Sequence, residues 1–295
     1  MEITILGTSC MVPTKDRNHT SLFLSYKGEG ILIDCGEGTQ RQLKLAKIKP
    51  SKINSIFLTH WHGDHVLGLP GLLQTLNSSD YEGKLKIYGP KGTIKNFEYM
   101  FKAFLFSIGF EHEIIEIEEE KILTKNLIIE SKKLEHSVLC LGYTLTEKDS
   151  RRMKVREIKK LGIPEGPLLG KLQSNQSIEW KGKTVSPKDT TYLVKGKKLS
   201  IVLDTVLCDN VNYLAKDADL LIIESSYLEE QSEKAIEYKH MTAHQAGIVA
   251  SKNNVKKVVL VHLSQRYKTP EKIFNEIKIV FENSVVGYDL MKIKI

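Results

Sequence analysis

The stretch Leu58–Gly71, LTHWHGDHVLGLPG, decides the fold. His60, His62, Asp64 and His65 crowd into six consecutive positions. The apolar run INSIFL before them reads as a buried strand. VLGLPGLLQTLN after them reads as a helix with proline near its first turn. In extended backbone, residues i and i+2 project to the same side. His60 and His62 can therefore converge on one cation. Asp64 and His65, at the entrance to the helix, then face a second position. Imidazole and carboxylate suit Zn²⁺, and also Mn²⁺ or Fe²⁺. One tetrahedral ion that took all four would keep no open site, whereas two adjacent ions use them well. No packing requirement asks for this spacing.

Two ions need more ligands than one loop supplies. Polar, ligand-capable residues recur at the ends of apolar strands: Asp34 after GILI, Asp204 after SIVL, Glu224 after DLLII and His262 after VVLV. Open α/β sheets place their sites at such strand ends. His136 in KLEHSV, Asp204 and His262 are the candidates to complete the set. A lone histidine at a strand end is more often a hydrogen-bonded structural residue, so these three lean on the cluster for their weight. A carboxylate that bridges two cations is a natural use of Asp204. Two cations about 3.5–4 Å apart suit phosphodiester displacement, where attacking and leaving oxygens both need stabilisation. His19 and His112 lack this context and read as surface or loop residues.

The rest of the chain bounds the answer. It has 295 residues, 41% hydrophobic and 27% charged, enough for a sizeable core and ordinary for a folded α/β protein. The net charge of +7 favours a polyanionic partner. Cys10, Cys35, Cys140 and Cys208 form no C-x-x-C pair and read as reduced packing thiols. The N-terminal EITILG reads as a first strand, not a secretory signal. No run approaches the roughly 20 apolar residues of a membrane span. A cytoplasmic protein without membrane association is expected.

Short strands alternate with amphipathic helices through both halves. A strand-rich acidic region covers about 110–147. Residues 147–160, EKDSRRMKVREIKK, are helical in pattern. Residues 161–189 are rich in Gly, Pro and Lys and weak in core residues, and read as an exposed excursion. With the charged segment before it, 150–189 forms a candidate arm inserted into a single domain spanning 1–295.

The TH-x-H-x-DH pattern, followed in order by His136, Asp204 and His262, resembles the metallo-β-lactamase superfamily. That resemblance implies an αββα sandwich, two mixed sheets face to face with helices outside. Four further motifs narrow it: P-x-K-x-R-N at Pro13–Asn18, CGEGTQRQL at Cys35–Leu43, a Gly166–Pro167 pair in LGIPEGPLLGKLQ, and HMTAHQAG at His240–Gly247. Together they resemble the ribonuclease Z family in its short form, endonucleases that remove 3′ trailers from precursor tRNA as homodimers. The resemblance implies one Zn²⁺ on His60, His62 and His136, a second on Asp64, His65 and His262, and Asp204 between them, with Mn²⁺ as a substitute. It implies Asp64 as the base toward water and His240 as the acid toward the leaving 3′ oxygen. The family's HEAT motif stands here as IESS, Ile223–Ser226, so Glu224 keeps an orienting role while the motif's histidine and threonine are lost. Lys15, Arg17 and Asn18 would hold the 3′ nucleotides and reject CCA ends. Arg151, Arg152, Lys154, Gly166, Pro167 and Lys171 in the arm would clamp the tRNA elbow.

RNA also follows from chemistry, because a phosphate backbone calls for Lys and Arg outside the metal pocket. Neither basic region interleaves aromatics, so shape and phosphate recognition fits better than base stacking. Two rivals remain. A small-molecule hydrolase of the same superfamily has no use for the arm, and a non-catalytic RNA-binding protein would close its metal sites to water.

Overall fold

The computed structural model describes residues 1–295. The chain divides into two compact units, Met1–Leu145 with Lys198–Ile295, and Thr146–Lys197.

The larger unit contains two seven-stranded sheets. The first runs in the order Lys292–Lys294, Glu2–Gly7, Ser21–Tyr26, Glu29–Ile33, Ser55–Phe57, Leu85–Gly89, His112–Glu116. Its first four strands pair antiparallel and its last four parallel. The second runs Ser284–Val286, Val258–Val261, Leu220–Glu224, Lys198–Val202, Cys140–Glu147, Leu127–Leu134, Lys121–Leu123. Its first four strands are parallel.

The inner strands of both sheets are apolar on both faces, as strands covered from two sides must be. Alternate residues part to opposite faces. Ile3, Ile5, Leu22, Leu24, Ile31 and Ile33 join Tyr143, Ile201, Ile222 and Val261 in the core between the sheets. The intervening Leu6, Phe23 and Leu32 pack with Leu43, Leu72, Leu73 and Phe97 from the helices Thr39–Leu45, Leu69–Asn77 and Thr93–Phe104. On the other outer face, Leu221 and Ile223 pack with Val211, Leu214, Val249 and Ile273 from three further helices. The result is the αββα layering.

The smaller unit has its own core, Ile158, Ile163, Leu172, Ile178 and Val185. Its antiparallel strand pairs are Ser150–Met153 with Thr191–Val194, and the hairpin Ile178–Trp180 with Lys183–Val185. The helical reading of 147–160 is corrected here. Ser150–Met153 is a strand, and the helix covers only Val155–Leu161. The strand is made by pairing with Thr191–Val194, some forty residues ahead and beyond the reach of a local pattern. Of the two readings for His19, the loop holds and the surface does not: it lies between the strands Glu2–Gly7 and Ser21–Tyr26 and is buried, with Nε2 3.1 Å from the Met11 carbonyl oxygen. His112 is half-buried at the start of a strand. No helix is long and apolar enough to cross a membrane.

Candidate metal centre

The parallel strands deliver the site. Asp34, Asp204 and His262 follow their strands in left-handed backbone, with φ of 55°, 48° and 57°. Non-glycine residues adopt this conformation rarely and at a cost, and it concentrates at functional sites. Here it turns three side chains off the strand ends. The loop before the histidines is clamped across the sandwich, since the Leu141 N–H donates to the Thr59 carbonyl at 2.9 Å and the buried Tyr143 hydroxyl donates to that of Leu58. Beyond it, the Cys35 N–H donates to the His65 carbonyl and the Gly68 N–H to the Cys35 carbonyl, at 2.7 and 2.8 Å. A Cβ on Gly68 would sit 2.1 Å from the Gly36 carbonyl oxygen, so only glycine permits this approach. In the CGEG turn itself, a Cβ on Gly36 would sit 2.3 Å from the Asp64 carbonyl oxygen, so that glycine too is required by the close approach.

All seven expected ligands come together. His60, His62, His136 and Asp204 form one group, and Asp64, His65, Asp204 and His262 another, each with its ligand atoms within 4.8 Å of one another. Asp204 belongs to both. Its Oδ2 lies 3.6 Å from His60 Nε2 and 3.7 Å from His136 Nε2. Its Oδ1 lies 3.4 Å from His65 Nε2 and 3.1 Å from His262 Nε2.

The hydrogen bonds behind the rings show whether a cation fits. Asp34 Oδ2, an acceptor only, lies 2.7 Å from His65 Nδ1 and so fixes the proton there. The Thr59 hydroxyl donates to the same oxygen at 2.8 Å, so it must accept from His60 Nδ1 at 3.0 Å. The Lys239 carbonyl accepts from His136 Nδ1 at 3.1 Å. The Ser226 hydroxyl donates to Glu224 Oε2 at 2.9 Å and accepts from His262 Nδ1 at 3.0 Å. Four rings thus carry a proton on Nδ1 and turn Nε2 inward, the support that metal-ligating histidines characteristically receive. His62 offers Nδ1, 3.2 Å from His136 Nε2. Buried His60 Nε2, Asp64 Oδ1 and Asp204 Oδ1 have no hydrogen-bond partner. Unpartnered buried atoms of this kind are costly unless something else binds them. The residues fit a divalent metal centre.

Electrostatics agree. Burial opposes charge on Asp204, yet the surrounding rings of His262, His65 and His60 hold its carboxyl well below the usual range. Burial likewise disfavours a charged His65, but Asp204 and Asp34 raise its pKa well above the ordinary value. Those carboxylates demand a cation, and a proton serves until a metal displaces it.

Next to the ligands, His240 Nδ1 lies 3.0 Å from Glu224 Oε2. Glu224 is fully buried and also accepts from the Thr205 N–H at 2.6 Å. Burial works against a charged His240, but Glu224 outweighs it and lifts the pKa to about 9. His240 shares with His62, Asp64, His136, Asp204 and His262 a cavity of about 710 Å³. A catalytic-scale opening therefore stands over the ligand atoms.

Asp34, Thr59 and Ser226 were not among the expected site residues. Asp34 carried a signal, a carboxylate at the end of GILI. Ser226 stands where the HEAT motif has threonine, so the hydroxyl persists although the threonine does not. Ser226→Ala is expected to weaken metal binding by about 10–100-fold, the usual cost of removing such support. Competition with a chromogenic chelator reads this, and unchanged affinity would show the bond to be incidental.

Residues 14–139 match the metallo-β-lactamase superfamily. Ribonuclease Z of Nanoarchaeum equitans is 40% identical over 266 residues, covering 90% of this chain and 84% of that protein. Ribonuclease Z of Methanothermobacter thermautotrophicus is 39% identical, covering 100% and 97%. The chain belongs to the ribonuclease Z family. The crystal structure of human tRNase Z, short form, superposes with a TM-score of 0.73 at 27% identity, over 100% of this chain and 99% of that one.

Against the ribonuclease Z motifs, the basic residues divide. Lys15 is exposed, its side chain 89% accessible and paired with Asp16 at 3.2 Å. Arg17 turns inward, Nη2 donating to the Tyr267 carbonyl at 2.7 Å and Nη1 to that of Ser264 at 3.4 Å. Asn18 Nδ2 donates to the Glu37 carbonyl at 2.7 Å, and its N–H to Asp289 Oδ2 at 2.7 Å. Both therefore spend side-chain donors on this chain itself. In the smaller unit, Arg152 and Lys171 are exposed, Arg151 donates to Thr191 Oγ1 at 3.2 Å, and Lys154 donates to the Lys188 carbonyl at 3.0 Å. Gly166, at φ 143°, precedes Pro167, which opens the helix Pro167–Gln173.

Proposed function

We propose that this chain is a zinc-dependent endoribonuclease that removes the 3′ trailer from precursor tRNA, cutting just after the discriminator nucleotide. The observation that carries the chemistry is His240, tied to buried Glu224, in one cavity with two ligand groups that share Asp204. The ribonuclease Z and tRNase Z relatives support RNA as the substrate.

On this reading His60, His62 and His136 would hold one zinc ion and Asp64, His65 and His262 a second, with Asp204 available to both groups and Mn²⁺ able to substitute. When bound, the pair supplies Lewis acidity at the phosphate and lowers the pKa of a coordinated water. Asp64 places Oδ2 3.4 Å from His262 Nε2, and its unpartnered Oδ1 is the atom free to take a proton from the attacking water. The new bond forms from water oxygen to phosphorus, and the bond to the 3′ oxygen breaks. His240 donates its proton to that departing oxygen, and Glu224 keeps the ring oriented and charged. The tRNA keeps a 3′ hydroxyl and the trailer a 5′ phosphate. Lys15 and the smaller unit's Arg151, Arg152, Lys154 and Lys171, with the Gly166–Pro167 turn, supply contacts to the folded tRNA. A homodimer and a cytoplasmic location accompany this reading through the family resemblance.

A precursor tRNA labelled at its 5′ end is expected to yield one product, ending at the discriminator with a free hydroxyl. Uncut precursor alongside rapid hydrolysis of bis(p-nitrophenyl) phosphate, by the same metal-loaded protein, would move the assignment to a small-diester hydrolase.

A further inference from the structure

Arg266 is the one Lys or Arg among the residues lining the metal cavity. It stands at an exposed position, yet its side chain is fixed. The guanidinium carbon lies 4.6 Å from the centroid of the Tyr227 ring, within cation–π range, and Nη1 donates to Gln231 Oε1 at 3.1 Å. Tyr227 is buried and directly follows Ser226, so the platform is continuous with the residues behind His262. Gln231 Oε1 is itself held by the Tyr267 hydroxyl at 3.0 Å. A ring face and an amide oxygen therefore hold the guanidinium, and its charge is left for a ligand.

The backbone beneath it is pinned as well. Arg17 donates to the carbonyls of Ser264 and Tyr267, on either side of Arg266. The basic residue that the P-x-K-x-R-N motif brings near the site thus spends its fork on a loop, and that loop presents a second guanidinium to the cavity. A guanidinium has five N–H donors in a planar fork that matches phosphate. One goes to Gln231, and a side chain stacked on a ring loses little further freedom on binding.

We propose that Arg266 forms a subsite for an RNA backbone phosphate adjoining the one that is cut, and that Arg17 is the positioning residue for that subsite. The inference rests on the proposed RNA substrate. It separates charge that builds the loop, at Arg17, from charge that meets the substrate, at Arg266.

The test is steady-state cleavage of a trailer-bearing precursor tRNA by zinc-loaded wild type, Arg266→Gln and Arg266→Lys at several salt concentrations. Arg266→Gln is expected to raise KM about tenfold and to reduce the slope of log KM against log salt by about one, the signature of one lost phosphate contact. Arg266→Lys, which keeps the charge and loses the fork, is expected to restore the slope while KM stays elevated. A purely structural arginine would lower the melting temperature and leave the slope alone. Wild-type KM and slope in Arg266→Gln overturn the subsite. If Arg266→Gln does not fold, Arg266→Lys decides, and a wild-type KM in that variant overturns the proposal. Wild-type protein that leaves the precursor uncut overturns the RNA reading itself, an outcome distinct from a wild type that cuts beside an unchanged variant.

Discussion

Asp204→Asn is expected to strip metal from the purified protein and to lower kcat/KM on precursor tRNA by on the order of a thousandfold or more, because the charge stabilisation lost is worth several kcal/mol. The reasoning is geometric. Each Asp204 oxygen faces a different ligand group, Oδ2 toward His60 and His136, Oδ1 toward His65 and His262. An amide offers one neutral oxygen and an NH₂ that cannot ligate, so both groups lose the negative charge and one loses its ligand atom as well. Asparagine is the informative replacement, since it matches aspartate in shape and tolerates the left-handed backbone that position 204 requires, whereas alanine adds strain of about 1–2 kcal/mol. Chelation of wild type should abolish the same activity, and Zn²⁺ or Mn²⁺ should restore it to wild type but not to the variant. Metal content per chain, with circular dichroism as the check on folding, reads the effect. Full metal and full activity in Asp204→Asn would remove the shared carboxylate from the site.

Why this residue was legible, and others were not, follows from range. His60 to His65 lie on one short segment that turns helical at Gly63, where strand and helix periodicities dictate direction. Asp204 and His262 lie at ends of unmistakable apolar strands. The partners behind the rings come from separate elements: Asp34 from the first sheet, Ser226 from beyond the strand Leu220–Glu224, Lys239 from the end of a helix. No spacing in the sequence relates them. Arg17 marks the same limit. A motif places it near the site, but only the folded chain shows its guanidinium on the carbonyls of Ser264 and Tyr267. The core of the smaller unit was illegible for a different reason. Ile158, Ile163, Leu172, Ile178 and Val185 follow no single period, because they come from two short helices, a turn and a two-stranded pair.

His240→Ala is expected to lower kcat on precursor tRNA by about 10²–10⁴-fold, the usual contribution of a positioned general acid. Its ring bonds Glu224 through Nδ1, and Glu224 is fixed in turn by the Thr205 N–H and the Ser226 hydroxyl. A carboxylate so held keeps the imidazole charged and aimed, against the repulsion of any divalent metal held by the neighbouring ligand groups. The departing 3′ oxygen is a poor leaving group that needs that proton. p-Nitrophenolate does not, so the loss on bis(p-nitrophenyl) phosphate should be far smaller than the loss on RNA. That contrast distinguishes an acid from a residue that merely shapes the cavity, because a shape defect lowers both reactions alike. Glu224→Gln should follow the same pattern at reduced size, since it leaves the ring in place and removes the charge that keeps it protonated. Equal losses on the two substrates would assign His240 to substrate placement, and the proton for the 3′ oxygen would then have to come from solvent entering the open cavity.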